Sequence, residues 1–561
     1  MSLESLIQAV NGFVWGVPML SLLLGTGLFL TIGLRLMTIR KIGFALSELF
    51  RKRSGRGEGE VSPFGALMTA LSSTIGTGNI AGVAAAIAIG GPGAVFWMWI
   101  TAILGTATKY SEGVLALKFR ETDVNGNHVG GPMYYIKNGM GKRWIWLAGL
   151  FAVFGVLASW GTGASIQANS VADVLNSNYG VSPILTGFVL AAGAAAVILG
   201  GVKRIANVAS RLVPLMAAAY LGGGLLVVFL NIDQVPTAFA RIFARAFGVD
   251  AAGTGIAIGL LMLAMQKGVA RGIFSNEAGQ GSAPIAHAAA KNRDPVNQGL
   301  IAMLGTVIDT LIVCTITALI ILTSGVVGDA CLPSTLTLEV FQTDGQPAGC
   351  DTGAPLTAAA FDATLTGVGS HIVAISLAVF AFTTILGWSY YGERCCAFLF
   401  SEKSILPFRF TWIAIVFLGA SALSLQDAPL VVEPGQVVES TDAALLIDGE
   451  PYLVGGNAFV LEAEGEVVVA EDGAVTVDGA PVRVPTALFN IVNLFWLVAD
   501  TLTGLMAAPN LIALIVLSPL VFKMTREYFV ARAAGTVDDA IRRAEKAAEE
   551  TAPLGQDGPA Q

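Results

Sequence analysis

The 561-residue chain is 54% hydrophobic and only 13% charged, with a mean hydropathy of +0.70, about half the charge of an ordinary soluble domain. Such a chain dissolves mostly in lipid, which excludes a soluble enzyme, and no basic run interleaved with aromatics marks a nucleic-acid binder. The net charge of −8 hides a segregation, because 326–370 and 427–485 hold 17 acidic residues against one basic residue, Arg483.

The first apolar stretch, Phe13 to Met37, carries only Arg35 and follows Glu4 with no basic residue before it. It is expected to be a retained transmembrane helix, an extra N-terminal element over 1–37, rather than a signal peptide. Further spans are expected at about 62–89, 93–117, 144–172, 183–201, 212–231, 255–287, 298–323, 371–396, 406–424 and 509–527. Backbone groups in lipid must be satisfied within the segment, so each span reads as helical. Lysine and arginine crowd the connections 38–61, 118–143, 202–211 and 288–297, which assigns those to the cytoplasm. Arg241 and Arg245 in 232–254 dissent. The majority gives an extracytoplasmic N-terminus and a multi-pass protein of the cell membrane. The basic tail after Lys523 then requires an odd number of spans, so eleven are expected, with 486–505 a short or surface-lying helix beside the last.

Between these spans lie two acidic insertions. Segment 326–370 reads as an extracytoplasmic loop in which Cys331 and Cys350 would be free to bridge. Cys314, Cys395 and Cys396 read as packing residues. Segment 427–485 combines the run Val467-Val468-Val469 with turn signals Asp448-Gly449, Asp472-Gly473 and Asp478-Gly479. It is expected to form a small extracytoplasmic β-module. Residues 538–561 read as a flexible cytoplasmic tail. Scattered His128, His287 and His371, with no Cys-x-x-Cys, give no metal cluster and no cofactor to argue for.

Two spans are interrupted by glycine, over Leu71–Gly82 and Gly268–Gly281. A helix opened at mid-bilayer frees carbonyls for Na⁺ and an amide end for a carboxylate. Tight helix packing is the alternative use of such glycines. Five spans separate one break from the other, the spacing of a five-helix repeat whose copies, 62–231 and 255–527, are inverted. Glu277 lies in the second break. An ionisable group at that depth is either functional or paired to Lys267 or Arg271, unless the helix end already meets water. Asp309 and Asp500 are similar, more isolated signals; Lys109–Glu112 and Glu393–Arg394 read as structural pairs.

At these residues the chain resembles the alanine/glycine:cation symporter family, sodium-coupled amino-acid transporters of the leucine-transporter fold. The matching stretches are Gly76-Thr77-Gly78-Asn79-Ile80-Ala81-Gly82-Val83, Gly130-Gly131-Pro132-Met133-Tyr134-Tyr135 and Gln167-Ala168-Asn169-Ser170. Phe274-Ser275-Asn276-Glu277-Ala278-Gly279, Gly387-Trp388-Ser389-Tyr390-Tyr391-Gly392-Glu393 and Ala508-Pro509-Asn510-Leu511 continue it. The resemblance runs from about residue 10 to 530 and departs at 427–485.

The resemblance implies an all-α polytopic membrane protein with a 5+5 inverted repeat, plus the β insertion. It implies that amides of Thr77 and Gly78 meet a substrate carboxylate, with Asn79 serving the substrate or a second ion. Carbonyls of Ser72 and Ile75, with hydroxyls of Thr383 and Thr384, would hold Na⁺. Phe274, Ser275, Glu277, Gln167 and Asn169 would line the pocket and receive the ammonium, under Trp388 as a cap. A helical threonine bonded to its own preceding turn is the competing reading for Thr383 and Thr384, an interfacial anchor for Trp388, and helix-to-helix hydrogen bonds for Gln167 and Asn169. The implied function is import of alanine or glycine coupled to Na⁺ by alternating access. Rivals are H⁺ coupling, an amino-acid sensor with a transporter-like core, a membrane enzyme and a channel. No convergent nucleophile, base or metal cluster favours the enzyme, and two enclosed breaks argue against a continuous pore. Oligomeric state is not legible.

Overall fold

A computed structural model describes residues 3–50, 57–248, 254–328, 331, 352–430 and 487–535, with short pieces between 432 and 485. Helices α1 (Leu3–Val14) and α2 (Val17–Gly33) form the first span, interrupted at Trp15-Gly16 where Pro18 opens the new turn. Proline fits there because a first-turn N–H has no intrahelical acceptor. Next come α3 (Pro63–Thr74) and α4 (Gly78–Gly90), which meet at a bend of 57°. Ser62 caps α3 by accepting from the Gly65 amide at 3.0 Å.

Helix α5 (Gly93–Lys118) is the central post. It packs against α2 and against four later helices: α9 (Val235–Ala246), α10 (Thr254–Asn276), α11 (Ala283–Ala288) and α12 (Pro295–Thr323). Glycine allows this approach. A Cβ on Gly113 would stand 2.7 Å from Ala302 Cβ and 3.0 Å from Gly299 Cα, so any larger residue forces the helices apart. Between α5 and α9 in the chain come α6 (Lys142–Tyr179), α7 (Pro183–Ile198) and α8 (Gly201–Leu230). The set is completed by α13 (Gly353–Asp362), α14 (Gly369–Phe400), α15 (Ile405–Ser421) and α16 (Ala487–Ala533).

Among the described residues, seven helices are long and apolar enough to cross a membrane, and the bent α3–α4 pair makes an eighth if counted as one span. Helices α5, α7 and α10 fall on the remaining expected stretches. Large apolar side chains on the rim, among them Phe188, Leu215 and Phe229, are exposed, as they are on a surface solvated by acyl chains. The protein is an all-helical, multi-pass membrane protein.

One expectation is corrected. The separate, short or surface-lying helix expected over 486–505 gives way to a continuous one: the described residues 487–505 begin α16, a single 47-residue helix that continues through Pro509 and Pro519. Proline removes one backbone bond each time but need not end a helix whose flanks are packed.

Within 427–485 the described backbone is antiparallel β. Strand β1 (Asp427–Pro429) pairs with β2 (Arg483–Pro485), so the insertion enters and leaves through one pair. Between them, Val438–Ser440 pairs with Leu445–Ile447, and Val467–Val469 with Val475–Val477. Leu430, Val438, Leu445, Val475 and Val482 bury a small core of their own. The three Asp-Gly turn signals lie outside the described residues, as do Cys350 and the tail 538–561. Cys331 takes part in a disulfide.

Candidate functional site

Both glycine-bearing interruptions are real breaks, and each has a local cause. In the first, α3 ends as Ile75 turns to extended backbone (φ −77°, ψ 94°) and the chain resumes as a π-turn over Gly78–Gly82. The Asn79 side chain closes the gap by accepting from the Gly76 amide at 3.0 Å. Gly76 cannot be larger, because a Cβ there would stand 2.6 Å from Thr384 Oγ1. In the second, Glu277, Gly279 and Gly281 take φ of +55°, +90° and +84°, so the chain leaves α10 and reforms as α11. A left-handed glutamate is uncommon and persists only where its surroundings hold it. Here Asn276 Oδ1 accepts from the Ala278 amide at 2.9 Å, and Ser282 donates to the Glu277 carboxylate in a short hydrogen bond.

The two breaks converge on one enclosed cavity of about 30 Å³. Its walls include Gly76, Thr77 and Gly78 from the first break and Phe274, Glu277 and Gln280 from the second. Helix α6 adds Thr162 and Gln167, α14 adds Thr384 and Trp388, and α16 adds Thr503. Thr77 donates to Gln167 Oε1 at 3.3 Å, while Gln167 Nε2 donates to the Thr162 carbonyl at 3.2 Å. A π-turn over Ser159–Ser165 positions that pair, a distortion that recurs where helices carry function. Thr384 Oγ1 lies 3.1 Å from the Phe380 carbonyl and 3.5 Å from the Ile75 carbonyl freed by the break. Trp388 is buried against Gly163, with Tyr391 edge-on at 5.7 Å.

The model of the sodium:alanine symporter family matches residues 1–430 and 482–542. The chain belongs to that family. The unmatched residues are 431–481, inside the β insertion, and 543–561. The sodium/alanine symporter AgcS of Methanococcus maripaludis is 43% identical over 532 residues, covering 94% of this chain and 98% of that one. The amino-acid carrier protein AlsT of Bacillus subtilis is 36% identical over 74% of this chain and 83% of its own. Among solved structures, a Na⁺-coupled sialic acid symporter superposes with a TM-score of 0.43 at 13% identity, covering 73% of this chain and 83% of that chain. A likeness that weak carries no argument.

In this sodium:alanine symporter family member, several candidate residues do not face the cavity. Asn79 and Ser275 turn instead to Asp309, donating at 2.7 and 2.8 Å, and Thr310 adds a third donor at 2.7 Å. That carboxylate is fully buried in a π-turn of α12 over Val307–Cys314. Asn169 donates to the Gly419 carbonyl of α15 at 3.3 Å. Thr383 points to Phe380 and Met216, since adjacent helical residues are about 100° apart and cannot both face one site. The Ser72 hydroxyl bonds back to the Thr69 carbonyl at 2.7 Å, which does not bear on the Ser72 carbonyl, the group expected to face Na⁺.

The cavity also uses Ser73, Thr74, Thr162, Gln280 and Thr503, which reading the sequence did not single out. Gln280 stands inside the second interruption and Thr162 between two glycines, the signal that was available. Thr503 carried none. A wider vestibule of about 290 Å³ lies on the other side of Phe274, among Trp15, Lys267, Arg271 and Asp500. The Arg271 guanidinium sits 5.4 Å from the Phe274 ring centre and the Trp15 ring 6.3 Å away, so Phe274 is held as the partition between the two spaces.

Proposed function

We propose that the protein is a secondary active symporter that imports a small neutral amino acid, alanine or glycine, together with Na⁺. The observation that carries this reading is the single enclosed cavity at which both helix breaks, Gln167 and Trp388 meet. The first amides of the resumed half-helix, at Thr77 and Gly78, have no carbonyl one turn earlier to bond and suit a substrate carboxylate. Glu277 and the Gln167 carbonyl oxygen across the cavity are acceptors for the ammonium. The Ile75 carbonyl and the Thr384 hydroxyl are oxygen donors of the kind Na⁺ takes, one on each element that moves in alternating access. Na⁺ binding draws α14 onto the first break and so completes the carboxylate site, which makes each ligand raise the other's affinity. The spans from α3 to α8 and from α10 to α16 serve as the two inverted copies, with the N-terminus and the β insertion outside. Proteoliposomes given labelled alanine test the coupling. Accumulation is expected only with an inward Na⁺ gradient, and accumulation without one defeats the reading.

Asp309 favours a second reading, in which a proton or a second cation is also carried. It is a carboxylate at membrane depth that receives three neutral donors and forms no ion pair with a described residue. Alkalinisation of the medium when alanine is added outside vesicles in Na⁺-free medium would support it, and its absence would leave Na⁺ as the coupling ion.

A further inference from the structure

A separate cavity, about 1070 Å³, opens between the first and last spans, away from the helix breaks. Its walls carry Arg35, Arg40, Lys41, Lys523, Arg526 and Arg532 against one carboxylate, Glu527. Internal partners account for only part of this charge. Arg532 pairs with Glu48 at 2.8 Å, Lys523 reaches Glu527 at 3.9 Å, and Arg40 donates to the Arg35 carbonyl at 2.6 Å. Arg35, Lys41 and Arg526 have no carboxylate within ion-pair distance among the described residues. The first of these sits in a turn of two left-handed residues, Arg35 (φ 54°) and Leu36 (φ 59°), which returns the chain so that Arg35, Arg40 and Lys41 line the same cleft.

The floor of the cleft is aromatic. Phe44 and Phe529 stand 6.1 Å apart, the Lys41 ammonium lies 5.6 Å from the Phe529 ring centre, and the Arg532 guanidinium 4.5 Å from that of Phe44. Beyond the floor the surface turns apolar and exposed through Phe29, Ile32, Leu36 and Val530. Phe29 joins the cleft directly, its ring 6.0 Å from Phe522. A concave basic cleft that runs into an exposed apolar slope asks for one molecule with an anionic head and a hydrocarbon tail. A zwitterionic head would bring a cation against an already uncompensated set, and a free anion would leave the slope unused.

We propose that this cleft is the headgroup site of an anionic phospholipid, its phosphodiester held by Arg35, Lys41 and Arg526 and its acyl chains lying on Phe29, Ile32 and Val530. The basic residues place it in the cytoplasmic leaflet. A lipid seated there ties the first span and the segment that follows it to the end of α16, adding to the ring contacts Phe29–Phe522 and Phe44–Phe529, the Arg532–Phe44 and Lys41–Phe529 cation–π contacts and the Glu48–Arg532 pair.

The test uses the full chain in detergent, titrated with phosphatidylglycerol, phosphatidylcholine or inorganic phosphate, and read by native mass spectrometry and melting temperature. Phosphatidylglycerol is expected to be retained and to raise the melting temperature; phosphatidylcholine and phosphate are not. Arg35→Gln/Lys41→Gln/Arg526→Gln should weaken retention by about a hundredfold, the loss expected from three cations near an anionic headgroup. Should that variant not fold, Lys41→Gln/Arg526→Gln serves, with a loss of roughly tenfold or more, and retention by the wild type should fall as NaCl rises. Equal retention of both lipids, retention insensitive to the substitutions or to salt, or the same stabilisation by phosphate would each overturn the proposal.

Discussion

Asn79 Nδ2 lies 2.7 Å from Asp309 Oδ1, which ties the first helix break to the π-turn of α12. The same carboxylate takes the Ser275 hydroxyl from the other broken span, so one buried group registers three core elements. Asp309→Ala takes the carboxylate from three buried donors: the Thr310 hydroxyl loses its acceptor, at about 1–3 kcal/mol, while Asn79 and Ser275 keep only longer contacts to the residue 309 carbonyl and Cys314 Sγ. A destabilised protein is expected from that change. Asp309→Asn keeps the volume and removes the charge, and it should fold while raising the Na⁺ concentration for half-maximal alanine binding by about tenfold, a loss near 1.4 kcal/mol. Unchanged Na⁺ dependence would confine Asp309 to a structural role.

Gly76 and Thr384 are in direct opposition. Gly76→Ala drives a methyl to 2.6 Å from Thr384 Oγ1 and should abolish Na⁺-stimulated uptake while lowering the melting temperature. Adding Thr384→Ala removes the obstructing hydroxyl. The double variant should regain melting temperature without regaining Na⁺ dependence. If Na⁺ dependence returned as well, the Thr384 hydroxyl would not be an ion ligand.

Phe274 separates the cavity from the vestibule. Phe274→Ala merges the two spaces, so bound alanine should exchange faster and accumulate less. Counterflow in proteoliposomes measures this directly. An intact level of accumulation would show that some other group closes the site.

Glu393 bridges Arg394 at 2.7 Å and Arg409 at 2.6 Å, and it is 2% exposed. Removing one partner of a buried pair typically costs about 3–5 kcal/mol, because the remaining charge is stranded. Glu393→Gln should therefore lower the melting temperature more than Lys523→Gln, whose ion pair with Glu527 is largely exposed. Comparable melting curves would show that water reaches the Glu393 cluster.

Much of the architecture was legible from residue order alone. Long apolar runs and glycine clusters each report a local rule, the length of a helix in lipid or the backbone freedom of glycine. Residues within those breaks, such as Thr77, Gly78 and Glu277, could be singled out for the same reason, and Trp388 only through the resemblance carried by Gly387–Glu393. The insertion announced itself too, since Val467–Val469 and the acidic run around it contradict a membrane helix.

What residue order could not convey is which way a side chain turns once helices pack. Thr383 and Thr384 differ by one position, yet only Thr384 meets the Ile75 carbonyl. Asn79 and Ser275 sit in the breaks but spend their donors on Asp309, thirty or more positions away in the chain. Segment 486–505 reads as an ambiguous helix from hydropathy, and only the structure shows its described residues 487–505 continuous with the last span through Pro509. Local backbone preference and hydropathy depend on neighbours in sequence, so the chain alone determined where helices lie and where they break. Cavity walls depend on the rotation of each helix about its axis, and that is set by contacts between segments far apart in the chain.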